Sequence, residues 1–325
     1  CLRQRRSVAL TGMSSARAPE HRAHAQAALA TAAPRRRSRW QSRAPALLFL
    51  LPAIVGLVVF RLVPIGWAFV LSFTNWRIFN DIEWVGLANY SHILASPLSR
   101  QVLGNTLWFT AMYVPGVMIV SVTLAVLLNN GLRASAFFRG AFFLPYITAT
   151  VAITLAWRWI FSTRFGLLNH LLTSAGLEGV PWLADPAWAL PAVAIVSVWK
   201  DAGFYMILLI AGLQTIDPGY YEAARIDGAR AFRRFYAITL PLLSRSLFFV
   251  LILALVRSTQ TFEITYALTN GGPNGASTTL AFYIYQNAFV HFEMGYASAL
   301  AYVLCFVIGL ITLLNFYLRR RWVHE

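Results

Sequence analysis

Of 325 residues, 58% are hydrophobic and 12% charged, and the mean hydropathy is +0.60. A soluble domain carries about 25% charged residues, so these values exclude one and place the chain among polytopic membrane proteins. The formal net charge of +15 raises nucleic acid as a partner, but the placement of the charge argues against it. Ten arginines precede Pro45, five lie between Leu213 and Leu247, and three close the chain at Arg319, Arg320 and Arg321; none lies between Ser258 and Leu318. Positive charge gathered on alternate loops is the signature of membrane orientation. No nucleic-acid partner is expected.

Residues 1–45 are rich in Ala, Arg, Ser and Pro and poor in large apolar side chains, so they cannot bury a core. They are expected to form a disordered, basic cytoplasmic tail, with Arg35 to Arg43 anchoring the first span. Met13 is the first plausible initiator, which makes a misplaced start part of the same expectation. The first apolar run is too long and too late for a signal peptide, and a lipidated Cys1 is not expected.

Six apolar runs follow, near 46–73, 105–128, 137–161, 187–213, 247–268 and 296–318. Each approaches the roughly 20 residues that cross a bilayer core. An even number puts both termini on one side. The arginine-rich segments then face the cytoplasm, while 74–103, 162–186 and 269–295 face out. The fold class expected is an all-α polytopic membrane protein with six transmembrane helices.

Several runs carry charge, which costs about 2.5–3.5 kcal/mol per residue at mid-span. Arg61 and Arg158 are read as paired or snorkelling side chains. For Lys200, Asp201, Arg257 and Glu263, internal pairing and the lining of a hydrated path stand about level. Two cysteines, Cys1 and Cys305, offer neither a disulfide framework nor metal spacing, and Cys305 reads as a packing residue. The six histidines are scattered, and no catalytic constellation or phosphate-binding loop is present. The chain is therefore not expected to be an enzyme, to take a cofactor or metal, or to hydrolyse ATP itself.

Between the fourth and fifth runs lies a segment of another character. Asp217 can cap a helix with Pro218 in its first turn, and Gly228 can end that helix in the left-handed region. On a helical wheel over 229–236, Ala231, Phe232, Phe235 and Tyr236 share one side, and Arg230, Arg233 and Arg234 the other. The expected element is helix–bend–helix, with an apolar and a basic face, held at the membrane surface to touch another protein.

Glu222-Ala223-Ala224, then Gly228, then Ile238-x-Leu240-Pro241 resembles the EAA loop of binding-protein-dependent ABC transporter permeases. Flanking segments narrow the resemblance to carbohydrate-uptake permeases of the maltose and glycerol-3-phosphate type. They are Trp84-Val85-Gly86-Leu87-Ala88-Asn89-Tyr90, Asn105-Thr106-Leu107, Phe143-Leu144-Pro145, Ala223-Ala224-Arg225-Ile226-Asp227-Gly228-Ala229 and Leu268-Thr269-Asn270-Gly271-Gly272-Pro273. The likeness runs from about Ala46 to Arg321, which makes 46–321 the permease domain and 322–325 a cytoplasmic C-terminus. It implies the type I ABC importer permease fold, with 217–241 as coupling loop. Glu222, Ala223, Ala224, Asp227, Gly228, Ile238, Leu240 and Pro241 would meet the ATPase.

The implied partners are an ATPase subunit dimer, a second homologous permease subunit, an extracytoplasmic solute-binding protein and a carbohydrate solute. The implied place is a bacterial cell membrane. Sugars stack on aromatic rings and bond through their hydroxyls. The solute-path candidates are Trp157, Trp199, Lys200, Asp201, Tyr205, Arg257, Gln260, Phe262 and Glu263, with Trp159, Thr148, Thr150 and Thr265 beside them. Most Trp and Tyr near span ends are interfacial anchors, so only two or three of the aromatic and polar candidates are expected to touch solute. Two alternatives remain: a permease of this kind for amino acids, peptides or phosphate, and a membrane-embedded enzyme or assembly factor.

Overall fold

The computed structural model describes residues 44–322 apart from Phe79 and 130–134. The expectations placed on 1–43 and 323–325 lie outside the described residues. Helix α1 (Ala44–Leu57) passes through a π turn at Val58–Leu62 into α2 (Val63–Leu71), together giving the apolar span Phe49–Leu71. Pro64 lacks an N–H and would crowd the carbonyl four residues back. The wider turn absorbs this, with the Val63 N–H donating to the Val58 carbonyl. The chain divides after Pro64 into two compact units.

The second unit continues through α3 (Ala88–Ala95), α4 (Pro97–Asn129), α5 (Ser135–Ile147), α6 (Thr150–Ile160) and α7 (Leu167–Ser174). Then come α8 (Pro186–Leu213), α9 (Pro218–Ile226), α10 (Ala231–Leu242), α11 (Ser244–Thr259) and α12 (Glu263–Leu268). Helix α13 (Leu280–Tyr285) is prolonged by a π turn at Gln286–Val290, and α14 (Met294–Trp322) closes the chain. Among the described residues β pairing is limited to one isolated bridge, Thr74 to Trp84.

Helix α8 is the centre of this unit, packed against α4, α5 and α11. Asp185 caps it by accepting from the Ala187 N–H at 2.8 Å, and Pro186 fills its first turn at no hydrogen-bond cost. Its buried face is rich in small residues, among them Ala189, Ala192, Ala194, Ser197, Ala202 and Gly203. Small side chains let helix backbones approach closely within a bilayer. At Gly203 the approach is tightest: a Cβ there would collide with the Phe142 carbonyl of α5. Ser121 of α4 donates to the Ala202 carbonyl at 3.0 Å beside it.

Two of the six expected runs are broken. Helices α5 and α6 meet at 97° within the third run; a further bend of 70°, between α10 and α11, lies just before the fifth. Among the described residues, four helices are long and apolar enough to span a bilayer, or up to six if each bent pair counts as one span. The third run, 137–161, breaks at Thr148–Ala149, where Thr148 donates its hydroxyl to the Leu144 carbonyl and Ala149 turns extended. The fifth run, 247–268, ends as a helix at Thr259, and residues 260–262 separate it from α12. At its end Ser258 and Thr259 donate their hydroxyls to the Leu255 and Val256 carbonyls at 2.8 and 2.9 Å. Such back-bonding answers carbonyls that another turn would otherwise have to satisfy.

Three of the flanking segments behind the resemblance, around Asn89, Asn105 and Gly271, join loops to helices. Asn105 donates to the Gly275 and Thr278 carbonyls at 2.9 and 3.0 Å, and Thr106 accepts from the Leu280 N–H at 2.8 Å. Asn89 holds the Ser72 and Thr74 carbonyls at 2.9 and 2.8 Å. Gly271 sits at φ +77°, and a Cβ there would press on Phe282 and Thr278.

Candidate functional site

Two places concentrate polar chemistry. The first is the α9–α10 element at the far end of α4. Asp217 caps α9 by accepting from the Gly219 N–H at 2.8 Å, and Pro218 takes the first turn. The helix ends in a Schellman turn: Ala229 N–H donates to the Ala224 carbonyl at 2.8 Å, and Gly228 N–H to the Arg225 carbonyl at 3.0 Å. Gly228 holds the left-handed residue at φ +73°, with open space around it. Its role is conformational, not one of close packing.

Helix α10 folds back across α9, and the Tyr221 and Thr239 hydroxyls meet at 3.0 Å. Between the two helices and the ends of α4 and α8 lies a cavity of about 500 Å³, whose lining includes Asn129, Gln214, Glu222, Arg225, Arg234 and Phe235. The separation of a basic from an apolar face over 229–236 does not hold. Ala231, Arg234 and Phe235 together face this cavity, while Phe232, Arg233 and Tyr236 are exposed. A π turn follows at Phe235–Thr239, two residues before Pro241. The tip is apolar and uncovered: Ile226 is 88% exposed and Phe232 73%.

The second place lies inside the helices. Thr150, Ser197, Lys200, Asp201, Arg257, Gln260, Thr261, Phe262, Glu263 and Ile264 line a cavity of about 190 Å³. The break after α11 makes it, because Gln260 to Phe262 leave the helical path where α8 passes. Asp201 is buried and accepts from the Tyr113 hydroxyl at 2.7 Å through Oδ2. The Arg257 Nε stands 3.8 Å from the same oxygen, while Oδ1 has no partner. Lys200, also buried, donates to the Tyr146 carbonyl at 3.4 Å, with its ammonium 5.5 Å from the Tyr146 ring centre. Across the cavity Thr150 donates to Glu263 Oε2 at 2.7 Å. Two cations and two carboxylates thus face one small space.

Residues 25–323 match the family described as "Binding-protein-dependent transport system inner membrane component". The chain is 35% identical to the sulfoquinovosyl glycerol transport system permease protein SmoG of Agrobacterium fabrum, over 82% of this chain and 88% of that one. It is likewise 35% identical to the lactose transport system permease protein LacF of Rhizobium radiobacter, over 84% and 93%. A crystal structure of a bacterial ABC transporter that imports alginate shares the fold, with a TM-score of 0.77 at 23% identity over 87% of this chain and 98% of that one. The chain belongs to the family of binding-protein-dependent transport system inner membrane components.

The permease is therefore a multi-pass membrane protein of that transport class. Within it, six of the nine solute-path candidates converge on the smaller cavity: Lys200, Asp201, Arg257, Gln260, Phe262 and Glu263. Trp157 and Trp199 lie apart from it, paired edge-to-face at 5.4 Å, and Tyr205 is buried in the apolar core. The residues that sequence reasoning passed over are Tyr113, Tyr146, Ser197 and Thr261. A hydroxyl inside an apolar run needs a partner, and that signal was available for Tyr113. Its partner is 88 residues away, a distance no local pattern spans.

Proposed function

We propose that this permease conducts a sugar through the membrane as part of an ABC importer, driven by a separate ATPase dimer acting on residues 217–241. The observation that carries this reading is the α9–α10 element. A capped helix, a glycine-made bend and a second helix present an uncovered apolar tip of Ile226, Phe232 and Tyr236 outside the long spans. An exposed apolar patch on a rigid support is what a protein partner covers. In this reading Glu222, Ala223, Ala224 and Asp227 belong to the face that meets the ATPase. Gly228 sets the angle between the two helices, and Ile238, Leu240 and Pro241 carry movement into α11. The element and both termini are cytoplasmic, residues 46–321 form the permease domain, and a second homologous permease completes the path.

Sugar is favoured over a charged solute by the smaller cavity. Lys200 and Arg257 balance Asp201 and Glu263, so the space carries no excess of either sign, and its groups both donate and accept hydrogen bonds. The names of SmoG and LacF point to sugars as well. Unloading from an extracytoplasmic binding protein into this space, followed by tilting of the spans as the ATPase closes, gives alternating access.

The test is uptake of radiolabelled lactose, maltose and glucose by cells expressing the transporter, paired with disulfide cross-linking from Ile226→Cys. Import of one of these with a cross-link to an ATPase subunit is expected. Import of amino acids alone would overturn the sugar reading. Absence of any ATPase cross-link, with the permease correctly inserted, would overturn the coupling reading.

A further inference from the structure

The solute cavity has a neighbour. A second space of about 330 Å³ is lined by Val151, Thr154, Leu155, Tyr266, Ala267 and Asn270, along the same seam between α6 and α12. Thr150 belongs to the first cavity, and Thr154, one helical turn on, to the second. Two stacked rings join the spaces: Phe262 lines the smaller, Tyr266 the larger, and their centroids lie 5.6 Å apart at 18°. Two more rings carry the series onward. Tyr285 sits 4.9 Å from Phe262 and 5.6 Å from Tyr266, and Phe289 lies 5.5 Å beyond Tyr285.

The neighbouring rings are not all covered within this chain. Phe282 is, at 1% exposure, but Tyr266 is 48% exposed and Phe289 62%. Each face of an aromatic ring takes the C–H face of a sugar without fixing its hydroxyls, so a row of rings lets a sugar advance by small steps. Hydroxyl-specific contacts wait at the end, where Gln260, Glu263, Arg257 and Asp201 line the smaller cavity.

We propose that Phe289, Tyr285, Tyr266 and Phe262 form an aromatic track that carries a sugar ring from the larger cavity to the charged one. This rests on the sugar reading above and adds the route to it. Tyr266 and Phe262 are the essential rungs, because they alone line the two cavities. Losing the Tyr266 ring makes the solute miss the inner cavity after release, so ATP is spent on empty cycles.

The test uses the complete transporter in proteoliposomes, with whichever of lactose, maltose and glucose the wild type imports, comparing Tyr266→Ala and Tyr266→Phe. The readout is sugar imported per ATP hydrolysed, together with recovery of the assembled complex. Tyr266→Ala is expected to lower that ratio roughly fivefold, the scale of one lost ring contact, with assembly unchanged and Tyr266→Phe close to wild type. An unchanged ratio in Tyr266→Ala overturns the track while leaving the sugar reading intact. Equal loss of import, ATP hydrolysis and assembly overturns it too, since the rings would then pack against a partner subunit. A wild type that imports none of the three sugars overturns the sugar reading and the track together.

Discussion

Gly228 shows how one residue can matter through its backbone alone. Beyond its two chain neighbours, no atom stands within 4 Å of where its Cβ would be, yet its φ is +73°. A β-branched residue in that conformation is disfavoured by about 1–2 kcal/mol, enough to open the Schellman turn and change the angle between α9 and α10. Gly228→Val is therefore expected to abolish uptake while membrane insertion is retained, and Gly228→Asn, which tolerates the left-handed region, to keep more of it. Transport assays beside a membrane-fraction immunoblot check both; normal uptake by the valine variant would contradict the role given to the bend. Tyr113 makes the opposite case, a residue that acts through contact. Removing its hydroxyl leaves the buried Asp201 carboxylate with only the 3.8 Å approach of Arg257. Tyr113→Phe is expected to destabilise the folded permease by about 1–3 kcal/mol, read as a lower thermal midpoint in detergent. An unchanged midpoint would mean that Asp201 does not depend on that bond.

Among the elements, the long apolar runs were legible because a bilayer demands them, and the breaks in them were not. The third run bends at Thr148–Ala149 and the fifth leaves the helix after Thr259, and at both places hydroxyls bond back to helix carbonyls. A hydropathy pattern does not register a hydroxyl that turns back on its own backbone. The π turns are a second blind spot. Two of them, at Val58–Leu62 and Phe235–Thr239, each end two residues before a proline, at Pro64 and Pro241. In both, the residue just before the proline donates five positions back, Val63 to Val58 and Leu240 to Phe235. The wheel drawn over 229–236 assigned Phe232 and Phe235 to one face, but only Phe232 is exposed. Asp217, Pro218 and Gly228, by contrast, act as their local chemistry alone dictates. The α5–α8 contact follows a simple rule as well. Gly203→Val would drive a side chain into the Phe142 backbone, so the variant is expected to lose most of its detergent-stable folded fraction by size-exclusion chromatography. A yield like that of the wild type would show that α5 can move away freely.

At the scale of the whole molecule, the chain places two polar sites where α4 and α8 can link them. Helix α4 carries Tyr113 beside the smaller cavity and Asn129 beside the α9–α10 element. Helix α8 carries Lys200 and Asp201 in the one and Leu213 in the other. Under the proposed coupling, a push on α9–α10 would meet α8, which lines the smaller cavity, and α4, whose Tyr113 bonds Asp201 there; close packing transmits displacement instead of absorbing it. Everything depends on which side of the membrane that element faces. The decisive measurement is labelling of Ile226→Cys, in a background with Cys1 and Cys305 replaced by serine, using a membrane-impermeant maleimide. Labelling in inside-out vesicles and none in intact cells is the expected result; labelling in intact cells would put the element on the outer face and contradict its coupling to an ATPase.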